Sequence, residues 1–150
     1  SWATIAIPNE PTTLGRGLNL LQSAGLIKVK KDSGIKPSLN DITSNPQNFK
    51  FKEVDPATAA RALDSVDASI INGNYAEAAN LTPKKDAIYL EPVNKSTKPY
   101  VNIIATQEKN GDNATYKKIV AAYQTEATKK VIDKTYKGSQ IAAWPQFGKN

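Results

Sequence analysis

Ala3 to Ile27 reads ATIAIPNEPTTLGRGLNLLQSAGLI, and its two halves carry different periods. Ala3 to Ile7 is a continuous apolar run of the kind a strand buried in a sheet requires, and Pro8 ends it. Asn9-Glu10-Pro11-Thr12 then supplies the cap and first-turn residues of a helix. Leu14, Leu18 and Leu21 recur at helical spacing and predict a face turned to the sheet, and Gly25 sits where a C-terminal cap belongs. Thr12, Arg16 and Asn19 form a second, polar stripe. Gly15 and Gly17 flank Arg16, and each costs a helix about 1 kcal/mol relative to alanine, which predicts that something approaches the backbone closely there. An arginine beside a strand-to-helix junction suits the capture of a small anion. The plainer reading of the same residues is a solvated helix face with two tolerated glycines.

Working outward, Leu26 to Lys30 reads as a short extended piece, Lys31 to Pro37 as a loop around Gly34, and Ser38 as the cap of a helical turn that ends before Asn45-Pro46. Phe49 to Val54 alternates as a half-buried strand does. Asp55-Pro56 opens an expected helix through Leu63, with Ala59, Ala62 and Leu63 facing inward. Val66 to Ile71 is the next strand, followed by Asn72-Gly73-Asn74, a short alanine-rich helix and a loop at Thr82-Pro83. Ala87 to Leu90 and Tyr100 to Thr106 are further expected strands, separated by a loop over Glu91 to Pro99. Two helices close the chain, one near Ala114 to Ala122 and one from a Thr125 cap to Tyr136, stopped by Gly138. Strands alternating with helices predict an α/β layer with a largely parallel sheet flanked by helices.

The 150 residues suit one domain, or one lobe of something larger with a short second element. The chain begins Ser1-Trp2 and contains no methionine, which reads as a processed or excised piece, and no stretch approaches the roughly 18 apolar residues of a membrane span. There is no histidine and no cysteine. Their absence removes imidazole and thiolate nucleophiles, the commonest general base and most transition-metal sites, so a hydrolase would lack its nucleophile and base, and no cofactor or metal is expected. Glu53, Asp55, Asp64, Asp67, Asp86 and Glu91 are scattered at strand ends and caps and read as solvated or capping groups. The net charge is +6, but the basic residues are almost all lysines spread through the chain, with no block or aromatic-interleaved run, so no nucleic-acid partner is expected. Against that background Arg16 and Arg61 stand out, because a guanidinium fork recognises a carboxylate in a way a lysine point charge does not.

Ligands of open α/β sheets bind beyond the carboxyl ends of the strands, where helix N-termini also present free backbone donors. Arg16, Asn72 and Asn102 fall at such places. Asn72 follows the strand that ends at Ile71, and Asn102 interrupts Val101, Ile103 and Ile104, where a buried unpaired amide would cost a few kcal/mol. Each asparagine also has a plain role, as a turn residue before Gly73 or as a partner for a bulge or sheet edge. Together, an arginine and two amides resemble a clamp for an amino acid: the guanidinium holds a carboxylate and amide oxygens take the ammonium. That chemistry is recognition without bond breaking.

The segments IAIPNEPTTLGRGLNLLQSAGLI, FKFKEVD, RALDSVDASIINGNYA, LTPKKDAIYLE, KPYVNII, AYQTEATKKVI and YKGSQIAAW occur in this order, and in that order the chain resembles the methionine-binding lipoproteins of the NlpA family, the substrate-binding subunits of bacterial ABC importers. The resemblance covers about Ala3 to Trp144. It implies a type II periplasmic-binding-protein fold of two lobes closing on methionine, a lipid anchor to the extracytoplasmic face of the membrane, and ABC permease partners. It carries ligand contacts onto Arg16, from the family's NLGR segment, Asn72, the first asparagine of INxNYA, and Asn102, from PYVN. Thr13 stands here where the family more often has asparagine. The family also implies a missing first lobe of roughly a hundred residues bearing the lipidated cysteine and the aromatic residues around the methionine side chain. Residues 1–106 are then the second, ligand-binding lobe, and 107–150 the helical segment that returns to the first. The competing reading is a basic, non-catalytic interaction module that binds an anionic polymer or surface through its lysines.

Overall fold

The apolar run of Thr4–Pro8 forms strand β1, followed by helix α1 over Pro11–Ser23, the short strands β2 (Lys28–Val29) and β3 (Ile42–Ser44), β4 (Lys50–Val54) and β5 (Ala68–Ser69). Short helices α2 (Gly73–Ala78) and α3 (Pro83–Asp86) come next, then α4 (Ala114–Tyr123), α5 (Glu126–Tyr136) and α6 (Trp144–Phe147). This computed structural model describes residues 2–148 and divides into two units, Ser1–Tyr89 and Leu90–Asn150. Ser1, Lys149 and Asn150, the ends of the two expected segments, lie outside the described residues.

In the first unit β1 is the middle strand of a parallel sheet in the order β4-β1-β5. Thr4 through Pro8 pair in register with Lys50 through Val54, while Ile5 and Ala6 pair with Ala68 and Ser69. A central parallel strand is covered on both faces, which is why it reads as an unbroken apolar run. Ile5, Ala6 and Ile7 are accordingly buried. Leu14, Leu18 and Leu21 of α1 pack on Ile5 and Ile7, with Ile27 and Val29 completing the core. Complete burial of a leucine such as Leu18 contributes roughly 1.5–3 kcal/mol.

The ends of α1 follow from its residues. Glu10 is the extended N-cap and Pro11 takes the first helical position, where its missing N–H removes nothing. At the other end Gly25 adopts φ +76°, so its N–H reaches Gln22 O at 2.9 Å and the Leu26 N–H reaches Leu21 O at 3.0 Å. These paired bonds satisfy two final carbonyls, and the turn sends Leu26 back onto the core. Ser38 caps the turn before β3, as expected, and Asp41 completes a capping box with it.

Three expected elements differ. Asp55 does cap, accepting from the Ala57 N–H at 2.8 Å, but residues 56–64 form two 3₁₀ turns, Pro56–Thr58 and Arg61–Asp64, rather than one α-helix. The Ala59 carbonyl, which an α-helix would use for Leu63, accepts instead from Ser69 Oγ at 2.6 Å. Ala59 is buried as expected, whereas Leu63 is largely exposed. Neither Ala87 to Leu90 nor Tyr100 to Thr106 forms a strand; only a 3₁₀ turn at Lys98–Tyr100 touches the second. Strand geometry is held by a neighbouring ladder, and no described strand pairs with either segment. Ile88 and Ile103 are 96% and 79% exposed.

The second unit is helical. Asn113 caps α4 by accepting from the Thr115 and Tyr116 N–H groups, Thr125 Oγ1 caps α5 by accepting from Thr128, and Lys137 and Gly138, both at positive φ, end it. Both helices lie where the sequence places them, α5 from its Thr125 cap. Among the described residues no hydrophobic residue beyond Ala76 is buried, and Ile119, Tyr123 and Val131 are each more than half exposed.

Candidate functional site

Arg16 lies in the second turn of α1, half-buried between two buried glycines. The close approach expected at those glycines is made by the chain itself. A Cβ at Gly15 would stand 2.6 Å from Lys36 Cα and 2.7 Å from Ile35 O, and one at Gly17 would stand 3.2 Å from Ile7 and 3.3 Å from Ile70. Gly15 thus admits the loop backbone and Gly17 the side chains of β1 and of the segment leaving β5. The rest of the polar stripe is divided. Asn19 Nδ2 donates to Gly34 O at 3.3 Å and so holds the loop, while Thr12 is exposed. Thr13 Oγ1 donates to the Glu10 carbonyl at 3.1 Å.

Asn72 sits where β5 has ended and α2 begins, the carboxyl side of a parallel sheet. Its backbone carbonyl accepts from the Tyr75 and Ala76 N–H groups, at 3.0 and 2.9 Å. An asparagine at this position normally caps through its side-chain oxygen. Here the side chain makes no cap bond, and Oδ1 is buried without a hydrogen-bond partner among the described residues. An unsatisfied buried acceptor costs roughly 1–3 kcal/mol; a donor supplied from outside the chain would remove that cost. Ile70, two residues earlier, packs at Gly17, so the first unit brings the Arg16 turn and the approach to Asn72 to the same end of the sheet.

The third expected residue differs in setting. Asn102 belongs to the second unit, is exposed, and lies in a segment without regular structure. Asn102 is therefore neither buried nor in a strand, and its amide can be satisfied by solvent. Of the carboxylates expected to be solvated or capping, Asp86 accepts from the N–H of Thr82, the N-cap of α3, at 2.6 Å, whereas Asp67 ties in the start of β1 by accepting from the Thr4 N–H at 2.7 Å. Asp41 is held below the usual carboxylate range, chiefly by the Ser38 N–H, then the Ser38 hydroxyl and Lys30. Among the described residues no group of histidine, cysteine and carboxylate side chains could hold a metal ion, and no helix is long and apolar enough to cross a membrane. Arg61 is exposed at the rim of a shallow groove with Leu63, Tyr75 and Leu81.

The sequence reading missed the orphaned Asn72 oxygen and the loop seated on Gly15. The two glycines were the one available signal for the loop. Chemically, a guanidinium donor and an unpartnered amide acceptor at the carboxyl end of a parallel sheet complement the carboxylate and the ammonium of an amino acid.

A sequence profile described as NlpA lipoprotein matches residues 1–144. The "Probable D-methionine-binding lipoprotein MetQ" of Vibrio cholerae is 42% identical over 142 residues, which cover 95% of this chain and 52% of that protein. The "D-methionine-binding lipoprotein MetQ" of Escherichia coli is 40% identical over 142 residues, covering 93% and 51%. A solved nutrient binding protein from Burkholderia cenocepacia, bound to methionine, superposes with a TM-score of 0.73 at 45% identity, covering 94% of this chain and 58% of that one. The chain spans about half the length of the curated relatives it matches. Its α/β architecture, with a parallel sheet flanked by helices, is that of the corresponding part of these binding proteins. With that profile matching residues 1–144, nearly the whole chain, the chain belongs to the NlpA lipoprotein family.

Proposed function

We propose that this chain is the ligand-binding half of an extracytoplasmic receptor that takes up methionine, or a close relative of it, for an ABC permease. The observation that carries this reading is the buried, unpartnered Oδ1 of Asn72, set at the same end of the sheet as the Arg16 turn. In the proposed site the Arg16 guanidinium holds the ligand carboxylate through paired N–H donors and Asn72 Oδ1 accepts from the ammonium; the family resemblance carries a third polar contact with the ligand onto Asn102. The names of the relatives, and a neighbour solved with methionine, support the side-chain specificity. In this reading residues 1–106 form the second lobe, 107–150 return to a first lobe, and a lipid on that lobe anchors the receptor to the membrane.

Calorimetric titration of the two-lobed receptor with methionine tests the reading. One saturable site whose affinity changes little from low to high salt is expected, because a buried guanidinium–carboxylate pair is poorly screened. No heat of binding, or an affinity for polyanions that collapses steeply with salt, would reject it in favour of a lysine-driven surface module.

A further inference from the structure

The geometry around Arg16 points to a clamp. Successive residues of an α-helix advance by about 100°, so Gly15 and Gly17 face nearly opposite sides of α1, and Arg16 projects between them. On the Gly15 side lies backbone: an added Cβ would meet Lys36 Cα at 2.6 Å, Ile35 O at 2.7 Å and Pro37 Cδ at 3.0 Å. On the Gly17 side lie Ile7 Cγ1 and Cδ1 at 3.2 Å and Ile70 Cδ1 at 3.3 Å. The turn that carries Arg16 is therefore gripped between a loop and the sheet, with no room for a methyl group on the Gly15 side and a tight fit on the Gly17 side.

Both walls are fixed. Ile7 is wholly buried in the central strand. The loop is tied at Gly34 O by Asn19 Nδ2, Pro37 is fully buried, and Asp41 Oδ2 accepts from both the N–H and the hydroxyl of Ser38. Lys30, at the start of the loop, pairs with Asp41 at 3.3 Å. A methyl group at Gly15 must therefore push the helix turn away from the loop backbone, and one at Gly17 presses the turn against Ile7 and Ile70. A displacement of the turn moves the Arg16 guanidinium with it.

We propose that Gly15 and Gly17 are positioning residues for Arg16: their missing side chains set how far the guanidinium stands from the ligand carboxylate. This rests on the reading of Arg16 as the carboxylate-holding residue. It also accounts for two helix-weakening glycines within three residues, which a merely solvated face leaves without a reason.

The test uses the two-lobed receptor and two probes, L-methionine and L-methioninamide, which keeps the ammonium and the side chain but lacks the carboxylate. The quantity read is the ratio of the two dissociation constants, with thermal unfolding measured alongside. Gly15→Ala should reduce the preference for methionine by about tenfold, since an error near 1 Å in a polar contact commonly costs that much or more. Gly17→Ala meets isoleucine side chains at longer distance and should reduce it by about threefold; it carries the test if Gly15→Ala does not fold. A folded variant that binds both probes with the wild-type ratio, however much its melting temperature falls, would overturn the positioning role. Arg16→Lys separates the two claims. If Arg16→Lys loses the preference while both glycine variants keep it, the site stands and the clamp fails; if wild type shows no preference for methionine, both fail.

Discussion

Ser69 Oγ donates to the carbonyl oxygen of Ala59 at 2.6 Å, joining the end of the short strand β5 to the 3₁₀ turns that precede it. Ala59 is fully buried, so its carbonyl has no water to fall back on. Ser69→Ala should therefore destabilise the chain by about 1–3 kcal/mol, the cost of an orphaned buried acceptor. Urea unfolding monitored by circular dichroism would measure it, and an unchanged midpoint would mean that the turn relaxes to re-pair the carbonyl.

Asp41 makes the stability of the loop depend on acid. Its folded pKa is lowered by the Ser38 N–H, the Ser38 hydroxyl and Lys30, so the contribution is fully present above the ordinary carboxylate value of about 3.9 and is lost as pH falls through the folded value. The wild type should exceed Asp41→Asn in stability by a constant margin above about pH 5, and the margin should shrink below about pH 3.9. Denaturant midpoints for both proteins across that range would check the sign. A margin that grows with acid would show that Asp41 is not held ionised by these donors.

What the sequence disclosed divides along physical lines. The β1 and α1 units, the helices α4 and α5, the Thr125 cap and the Gly25 stop were legible because each rests on neighbours a few residues apart: an unbroken apolar run, a helical period, a hydroxyl before a first turn. Ala87 to Leu90 and Tyr100 to Thr106 were misread because a strand is a property of a pair, and an apolar run alone does not say whether a ladder partner exists. The helix expected over Asp55 to Leu63 is two 3₁₀ turns, and the Ala59 carbonyl it would have used accepts from Ser69, a tertiary bond that no local propensity registers. At the site, the glycines announced a close approach without saying that loop backbone makes it. Asn72 was placed at a ligand-binding strand end with a turn role as the plainer alternative, but its orphaned oxygen appears only when burial is known.

The clamp chemistry gives a graded set of binding effects. Arg16→Lys keeps the charge and loses the paired donors, so methionine affinity in the two-lobed receptor should fall about tenfold or more. Asn72→Ala and Asn102→Ala should each weaken binding by about 1–3 kcal/mol if a ligand polar group is left unpaired. Calorimetry on the three variants decides it. Unchanged affinity in Arg16→Lys removes Arg16 from the site, and normal dissociation constants for both asparagine variants remove the clamp.

The last prediction concerns the second unit taken by itself. Ile119 and Tyr123 lie four residues apart on α4, and Val131 on α5; they are 53%, 53% and 62% exposed, and no hydrophobic side chain among the described residues of that unit is buried. One exposed isoleucine is ordinary, but a pair of capped helices without a buried apolar residue has little to hold it in place. The same helices carry good caps and well-spaced apolar residues, which is the pattern of elements that pack on something. In the reading proposed here that something is the first lobe. The 150-residue chain alone should therefore bind methionine far more weakly than the two-lobed receptor, and its exposed face should be relieved by self-association or by exchange of the C-terminal helices between copies. Light scattering at rising concentration, with hydrogen exchange over residues 114–136, reads both effects. A monomer with strongly protected α4 and α5 and receptor-like affinity for methionine would show that these residues form a complete binding domain, and the partition at residue 106 would have to be abandoned.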